Sequence, residues 1–263
     1  MEKLMLSPVE VAAATVNSGK AKGAKGTVNL LVLGILAGMF IAFGAAGAVV
    51  LWGLSTLPAL GKFLGAAIFP VGIMLVVLAG SELFTGNNLM TLGMFEGEYG
   101  FGHVLKNWIP VYIGNFIGSV FMAFLIYQAH LWGNGDTVNA IGEKAIKIAE
   151  AKVGLGFSAA IFRGILCNIV VVLAVWISAA AKDVIGKIFA LWFPITLFVL
   201  SGYEHSVANM FFIPVGMFLG GNVTWGTMIM NNLLPVTIGN IIGGAIIIPG
   251  LYFILFGRKN KEK

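Results

Sequence analysis

Charged residues along this chain gather in short clusters, and long apolar runs separate them. Residues 26–61 carry no charged side chain, residues 63–81 carry none, and none occurs from His205 to Gly257. The pattern predicts six spans. The first fits Val28–Leu54, and the second covers 63–81 and meets Glu82 before apolar sequence resumes from Leu83 to Phe95. The third fits Asn107–Tyr127 and the fourth Gly154–Ala180, with Arg163 inside it. The fifth starts near Ile188 and meets Glu204, and the sixth fits Asn232–Phe256. A helix crosses a bilayer core with about 20 apolar residues, so each run is long enough or nearly so. The chain therefore reads as an all-α protein embedded in the lipid bilayer of a cell membrane.

The segments outside the spans are more polar. Within residues 1–26, Ser7-Pro8-Val9-Glu10 has the form of a capping box, with Ser7 as N-cap, Pro8 in the first helical position and Glu10 reaching back. Val9, Val11, Ala12 and Val16 give the helix that follows a weakly apolar face, which suits the membrane surface. No apolar segment precedes a cleavage site there, so no signal peptide is expected. The stretch 128–153 is a connecting loop with room for a short helix, and 258–263 is a basic tail. Six spans put both ends on one side. That side collects eleven lysines and arginines against four on the other, Arg163 aside, which predicts that both termini are cytoplasmic.

Composition sharpens this picture. Hydrophobic residues make up 59% and charged residues 10% of the chain, where a soluble domain carries about 25% charged residues. The net charge of +5 lies at loops and ends, where membrane orientation accounts for it, so no nucleic-acid partner is expected. The 36 glycines suggest close helix packing and broken helices. Cys167 is the single cysteine, which excludes an intrachain disulfide.

The sequence repeats itself. The third span opens Asn107-Trp-Ile-Pro110-Val-Tyr-Ile-Gly114-Asn115-Phe-Ile-Gly118, and the sixth opens Asn232-Leu-Leu-Pro235-Val-Thr-Ile-Gly239-Asn240-Ile-Ile-Gly243, at a constant offset of 125 residues. Phe69-Pro70 precedes Glu82-Leu-Phe-Thr-Gly-Asn87 as Phe193-Pro194 precedes Glu204-His-Ser-Val-Ala-Asn209. The unit is three spans used twice, repeat one over 27–127 and repeat two over 154–257. Three is odd, so the second copy is inverted across the membrane, and a solute path is expected at the repeat interface.

The second and fifth spans are the interrupted ones, each with an acid and an amide around a polar turn. Backbone that leaves helical geometry at membrane depth needs partners from the protein or a wet cavity. Glu82 with Asn87, and Glu204 with Asn209, are expected to brace the two breaks, and Arg163 is expected to pair with one of the two acids. No HExxH, GxSxG or metal-spaced cluster occurs, so neither an enzyme nor a bound cofactor or metal is expected. A proton-coupled secondary transporter is the alternative to a passive channel. An aquaporin-type neutral-solute channel would call for Asn-Pro-Ala motifs, which neither half has.

Ser-Glu-Leu-Phe-Thr-Gly-Asn at 81–87, Arg-Gly-Ile-Leu-Cys-Asn at 163–168 and Gly-Tyr-Glu-His-Ser-Val-Ala-Asn-Met at 202–210 resemble the motifs of the formate/nitrite transporter family, and the resemblance covers nearly the whole chain. It implies an aquaporin-like protomer, assembly as a homopentamer with a pore in each protomer, and passage of small monovalent anions such as formate, nitrite and hydrosulfide. It further implies a central histidine, His205, between two apolar constrictions. Leu83 and Phe84 map to one constriction, and Phe69, Val171 and Phe198 towards the other. Thr85 and Asn168 match polar positions facing the central chamber, and Lys152 matches a basic residue of the outer vestibule. Glu-Leu-Phe-Thr-Gly here replaces the Asp-Leu-Phe-Thr-Ser form of formate channels, which together with the lysine-rich tail puts hydrosulfide first among the expected anions. Histidine is the side chain whose ordinary titration lies nearest neutrality, so His205 is expected to exchange a proton with the anion or to donate a hydrogen bond to it.

Overall fold

Every described stretch of regular structure is helical, as the apolar spacing requires. The structure, a computed structural model, describes residues 4–134 and 136–257; the basic tail lies outside them. In chain order the helices are α1 (Pro8–Ala24), α2 (Thr27–Leu54), α3 (Pro58–Gly80), α4 (84–95), α5 (Phe101–Gln128), α6 (Ala140–Val153), α7 (Phe157–Ala180), α8 (Val184–Ser201), α9 (Ser206–Phe218) and α10 (Trp225–Phe256). Helices α2, α3, α5, α7, α8 and α10 are long and apolar enough to cross a membrane. At the start of α1, the Glu10 carboxylate accepts from the Ser7 backbone N–H at 2.7 Å and the Ser7 hydroxyl at 2.6 Å, the arrangement the sequence predicts.

Several spans begin earlier than expected, α3 at Pro58 and α8 at Val184 among them. Helix α5 starts at Phe101 and α10 at Trp225. Lys106 does not end α5, because it sits on the exposed side while Val104, Asn107 and Trp108 face inward. The short helix expected in the connecting loop is α6. It stands before the second set of spans as α1 stands before the first, so each half comprises five helices, α1–α5 and α6–α10.

Close approach of the spans rests on glycine at matched places. A Cβ on Gly118 would lie 2.0 Å from the Ile35 carbonyl oxygen of α2, and one on Gly243 would lie 2.3 Å from the Ile165 carbonyl oxygen of α7. Any larger residue would push these pairs apart, which is why small residues line contacts between membrane helices.

Both interrupted spans break at a glycine. Gly80 ends α3 at φ +86° and Gly202 ends α8 at φ +73°, a left-handed geometry that disfavours side chains. Ser81 and Leu83 are extended after the first, and His205 is extended after the second. The chain then resumes helix as α4 and α9, whose N-terminal ends sit inside the molecule.

Candidate functional site

An asparagine from the third span of each half holds its break. Asn115 accepts the Phe84 N–H at 3.0 Å through Oδ1, and its Nδ2 donates to the carbonyls of Gly34 at 2.8 Å and Glu82 at 3.0 Å. Asn240 does the same in the second half, accepting the Ser206 N–H at 3.0 Å and donating to Gly164 at 2.9 Å and Glu204 at 3.0 Å. Both side chains are fully buried. They supply the partners that a break in a helix at membrane depth would otherwise lack.

The two acids are buried and carry matched contacts. Asn87 Nδ2 donates to Glu82 Oε2 at 2.7 Å and to Asn107 at 2.8 Å; Asn209 Nδ2 donates to Glu204 Oε2 at 2.6 Å and to Asn232 at 2.7 Å. Their cations come from the leading helices and the residue just after α1. Lys22 and Lys25 reach Glu82 at 2.7 and 2.5 Å, and Lys152 of α6 reaches both oxygens of Glu204 at 3.0 Å. Burial pushes the Lys22 ammonium below its ordinary range, with the Glu82 carboxylate opposing. The expected pairing of Arg163 does not occur: its side chain is exposed, and only its backbone carbonyl takes part, accepting the Glu204 N–H at 3.2 Å. An arginine on the outward face of α7 cannot reach an acid behind it, whereas Lys152 approaches from the end of α6.

At the centre, Thr85 of the first half meets His205 of the second. Thr85 Oγ1 lies 2.9 Å from His205 Nε2, and His205 Nδ1 accepts the Ala208 N–H at 3.1 Å. A backbone N–H can only donate, so Nδ1 is unprotonated here. The neutral ring then carries its proton on Nε2 and donates to Thr85, whose own hydroxyl proton is left to donate elsewhere. Thr85 is fully buried and His205 nearly so.

Two cavities lead towards this pair and share no lining residue. The first, of about 610 Å³, lies beside α1 and is lined by Lys22, Lys25, Ile73, Val76, Leu83 and Val175 among others. The second, of about 160 Å³, lies beside α6 and is lined by Trp52, Phe69, Lys152, Phe198, His205 and Phe212 among others. Phe69 meets Phe198 edge-on at 5.6 Å, and Phe198 stacks on the His205 ring at 5.8 Å. Lys152 sits at this second cavity with its charge engaged by Glu204 and its ammonium 5.3 Å from the Phe212 ring centroid.

Three residues expected at the passage lie apart from both cavities. The Phe84 ring packs edge-on against Trp108 at 5.5 Å and Tyr112 at 4.8 Å, lining an apolar groove between α5 and α10. Val171 is buried in the core. Asn168 turns its amide to the Thr85 carbonyl at 3.3 Å, Asn88 Oδ1 at 3.1 Å and the Asn240 carbonyl at 2.8 Å. It ties the first break to the second half. Conversely, Ile73, Val76 and Phe212 line the cavities although the motifs do not mark them. Helical spacing is the signal that finds them: Ile73 and Val76 follow Phe69 by four and seven residues, and Phe212 follows His205 by seven.

Comparison with known proteins agrees with this architecture. Residues 9–254 match the formate/nitrite transporter family. A protein of Methanothermobacter thermautotrophicus named a probable formate transporter is 44% identical, over 95% of this chain and 97% of that one. Among solved structures, an FNT family ion channel superposes with a TM-score of 0.86 at 28% identity, over 94% of this chain and 98% of its own. A pentameric formate channel with formate bound superposes at 0.75 with 29% identity, over 88% and 97%. Matched over nearly its whole length in sequence and in fold, the chain belongs to the formate/nitrite transporter family.

Proposed function

We propose that this chain is a passive, selective channel for small anions of weak acids, with formate its first permeant and nitrite and hydrosulfide passing by the same chemistry. The observation that carries the reading is the Thr85–His205 contact, which joins the two halves where two buried helix ends converge. Formate stands ahead of hydrosulfide because the 44% relative and the solved pentamer are both named for formate. The motif difference that favours hydrosulfide falls at Gly86 and Glu82. A Cβ on Gly86 would meet only Val175, at 3.4 Å, and Glu82 is taken up by lysines. Neither position is one of the two central groups, Thr85 and His205, that would lend the anion a hydrogen bond.

The path runs from one cavity to the other through Leu83, Thr85 and His205. Lysines at both cavities raise the local anion concentration. Apolar walls at Ile73, Val76 and Leu83 on one side, and Phe69 and Phe198 on the other, strip water from whatever passes, which costs a bare ion heavily. The Thr85 hydroxyl, backed by His205 Nε2–H, returns part of that cost through a charge-assisted hydrogen bond. Such a bond is stronger to a basic carboxylate than to chloride, which supplies selectivity. Nδ1 is committed to the Ala208 N–H, so giving up the Nε2 proton would leave an imidazolate. His205 in this geometry donates a hydrogen bond and does not hand over a net proton. Glu82 with Asn87, and Glu204 with Asn209, act as braces of the two breaks. Both termini face the cytoplasm, as the distribution of basic residues directs, and five copies assemble, as in the pentameric structural relative.

Flux of formate, nitrite, hydrosulfide and chloride into proteoliposomes at equal pH on both sides tests the reading. It expects formate to enter fastest and chloride slowest. Hydrosulfide ahead of formate would restore the motif-based ranking, and equal flux of all four would remove the role given to Thr85 and His205.

A further inference from the structure

A chamber opens off the first cavity and runs under α1. Its volume is about 300 Å³, and its walls include Thr15, Ser18 and Lys22 of α1, Asn87 of α4, Ala179 of α7 and Lys187 of α8. It shares Ser18, Lys22, Gly86, Asn87 and Val175 with the first cavity, so the two communicate. That volume sits at the lower end of small-molecule sites, which run from about 300 to 1,000 Å³. Its roof is tied down at both ends. Lys22 and Lys25 hold Glu82 at one end, and the Leu6 N–H donates to the Ala180 carbonyl at 2.9 Å at the other.

The charge here does not balance. Among the described residues, the two joined cavities are lined by three lysines, Lys22, Lys25 and Lys187, against one acid, Glu82. Lys22 and Lys25 share Glu82. Lys187 Nζ donates to the Ser178 carbonyl at 3.0 Å, and among the described residues no carboxylate lies within ion-pair reach of it. A surplus of positive charge in a partly enclosed, half-apolar chamber selects an anion that also brings apolar surface. Formate would leave most of the space empty.

The geometry points to a binding site for an organic carboxylate larger than the permeant, its head at Lys187 and its carbon skeleton against Val175 and Ala179, where it narrows the way from the first cavity to Leu83. The effect on flux rests on the channel reading above; the binding does not. Titration calorimetry of benzoate into the full-length protein in detergent tests the site, with benzamide as the uncharged control. Lys187→Gln should weaken benzoate binding by about tenfold, the loss of one charge-assisted hydrogen bond. Ala179→Leu, which fills the chamber without touching its charge, should weaken it also. Benzoate should slow formate entry into proteoliposomes, and Lys187→Gln should relieve the block. Absence of benzoate binding, equal binding of benzamide, or equal affinity in Lys187→Gln and wild type would overturn the site. Failure of formate to permeate at all would instead overturn the channel reading and leave the calorimetry standing.

Discussion

His205 spends one ring nitrogen on the Ala208 N–H and the other on Thr85, and most of the site's chemistry follows from that division. The histidine cannot gain a proton at Nδ1 without uncapping α9. Its function therefore passes through the threonine hydroxyl, and Thr85→Val should lower formate flux by about tenfold or more, the worth of one charge-assisted hydrogen bond. Thr85→Ser should retain flux, and thermal unfolding of the two variants should differ little; proteoliposome flux beside a melting curve reads both. Of these residues, His205 and Thr85 were legible from their motifs, but their contact was not. They stand 120 residues apart in the chain, and only the packing of two inverted halves brings them together. Phe84 was misleading for the opposite reason. Its neighbours Leu83 and Gly86 line the first cavity, yet a residue at the first turn of a helix turns about 100° from the next, and Trp108 and Tyr112 receive its ring.

Each break is held by a span asparagine and by an acid with its lysines, yet the two halves distribute the cations unequally. Glu82 has two lysines and Glu204 has one. Removing one partner of a buried pair leaves an uncompensated charge, at a cost of about 3–5 kcal/mol. Lys152→Ala should accordingly lower stability by that order, while Lys25→Ala, which leaves Lys22 in place, should cost much less. Adding Glu204→Gln to Lys152→Ala should recover most of the loss, since the stranded charge goes with it; a double-mutant cycle on thermal or denaturant unfolding measures the coupling. The sequence pointed to an acid and an amide at each break and assigned Arg163 to one of the two acids. A charged residue inside a span is the natural partner when only the spans are considered. The leading helices α1 and α6 supply the cations instead, and their equivalence is invisible to residue matching because little of their sequence is alike beyond Lys22 and Lys152.

At the scale of the molecule, the inverted repeat was the most legible feature. Apolar runs and the repeated motifs specify six spans and two breaks from the residues alone, because a bilayer admits so few backbone solutions. The repeat also shows where the two faces differ. Gly80, Glu82 and Asn87 recur as Gly202, Glu204 and Asn209, but the position of His205 is occupied by Leu83 in the first half. The matched positions thus carry an apolar side chain in one half and a hydrogen-bonding ring in the other. Cavity lining, by contrast, depends on how α4 and α9 pack after the breaks, and helical spacing from Phe69 and His205 marks only part of it. Assembly belongs to this scale as well. Native mass spectrometry of the detergent-extracted protein should give five copies of the 27.8 kDa chain; a stable monomer or tetramer would contradict the pentamer.

Under the proposed function, His205 and Thr85 lend the anion a hydrogen bond and no net proton, so that the anion crosses charged. Current across a planar bilayer, with a formate gradient and the same pH on both sides, tests it most directly. The account predicts a current that reverses at the equilibrium potential of formate and that falls in His205→Ala. Formate flux without current would mean that a proton travels with each anion, and the histidine would then be a proton carrier in a coupled transporter.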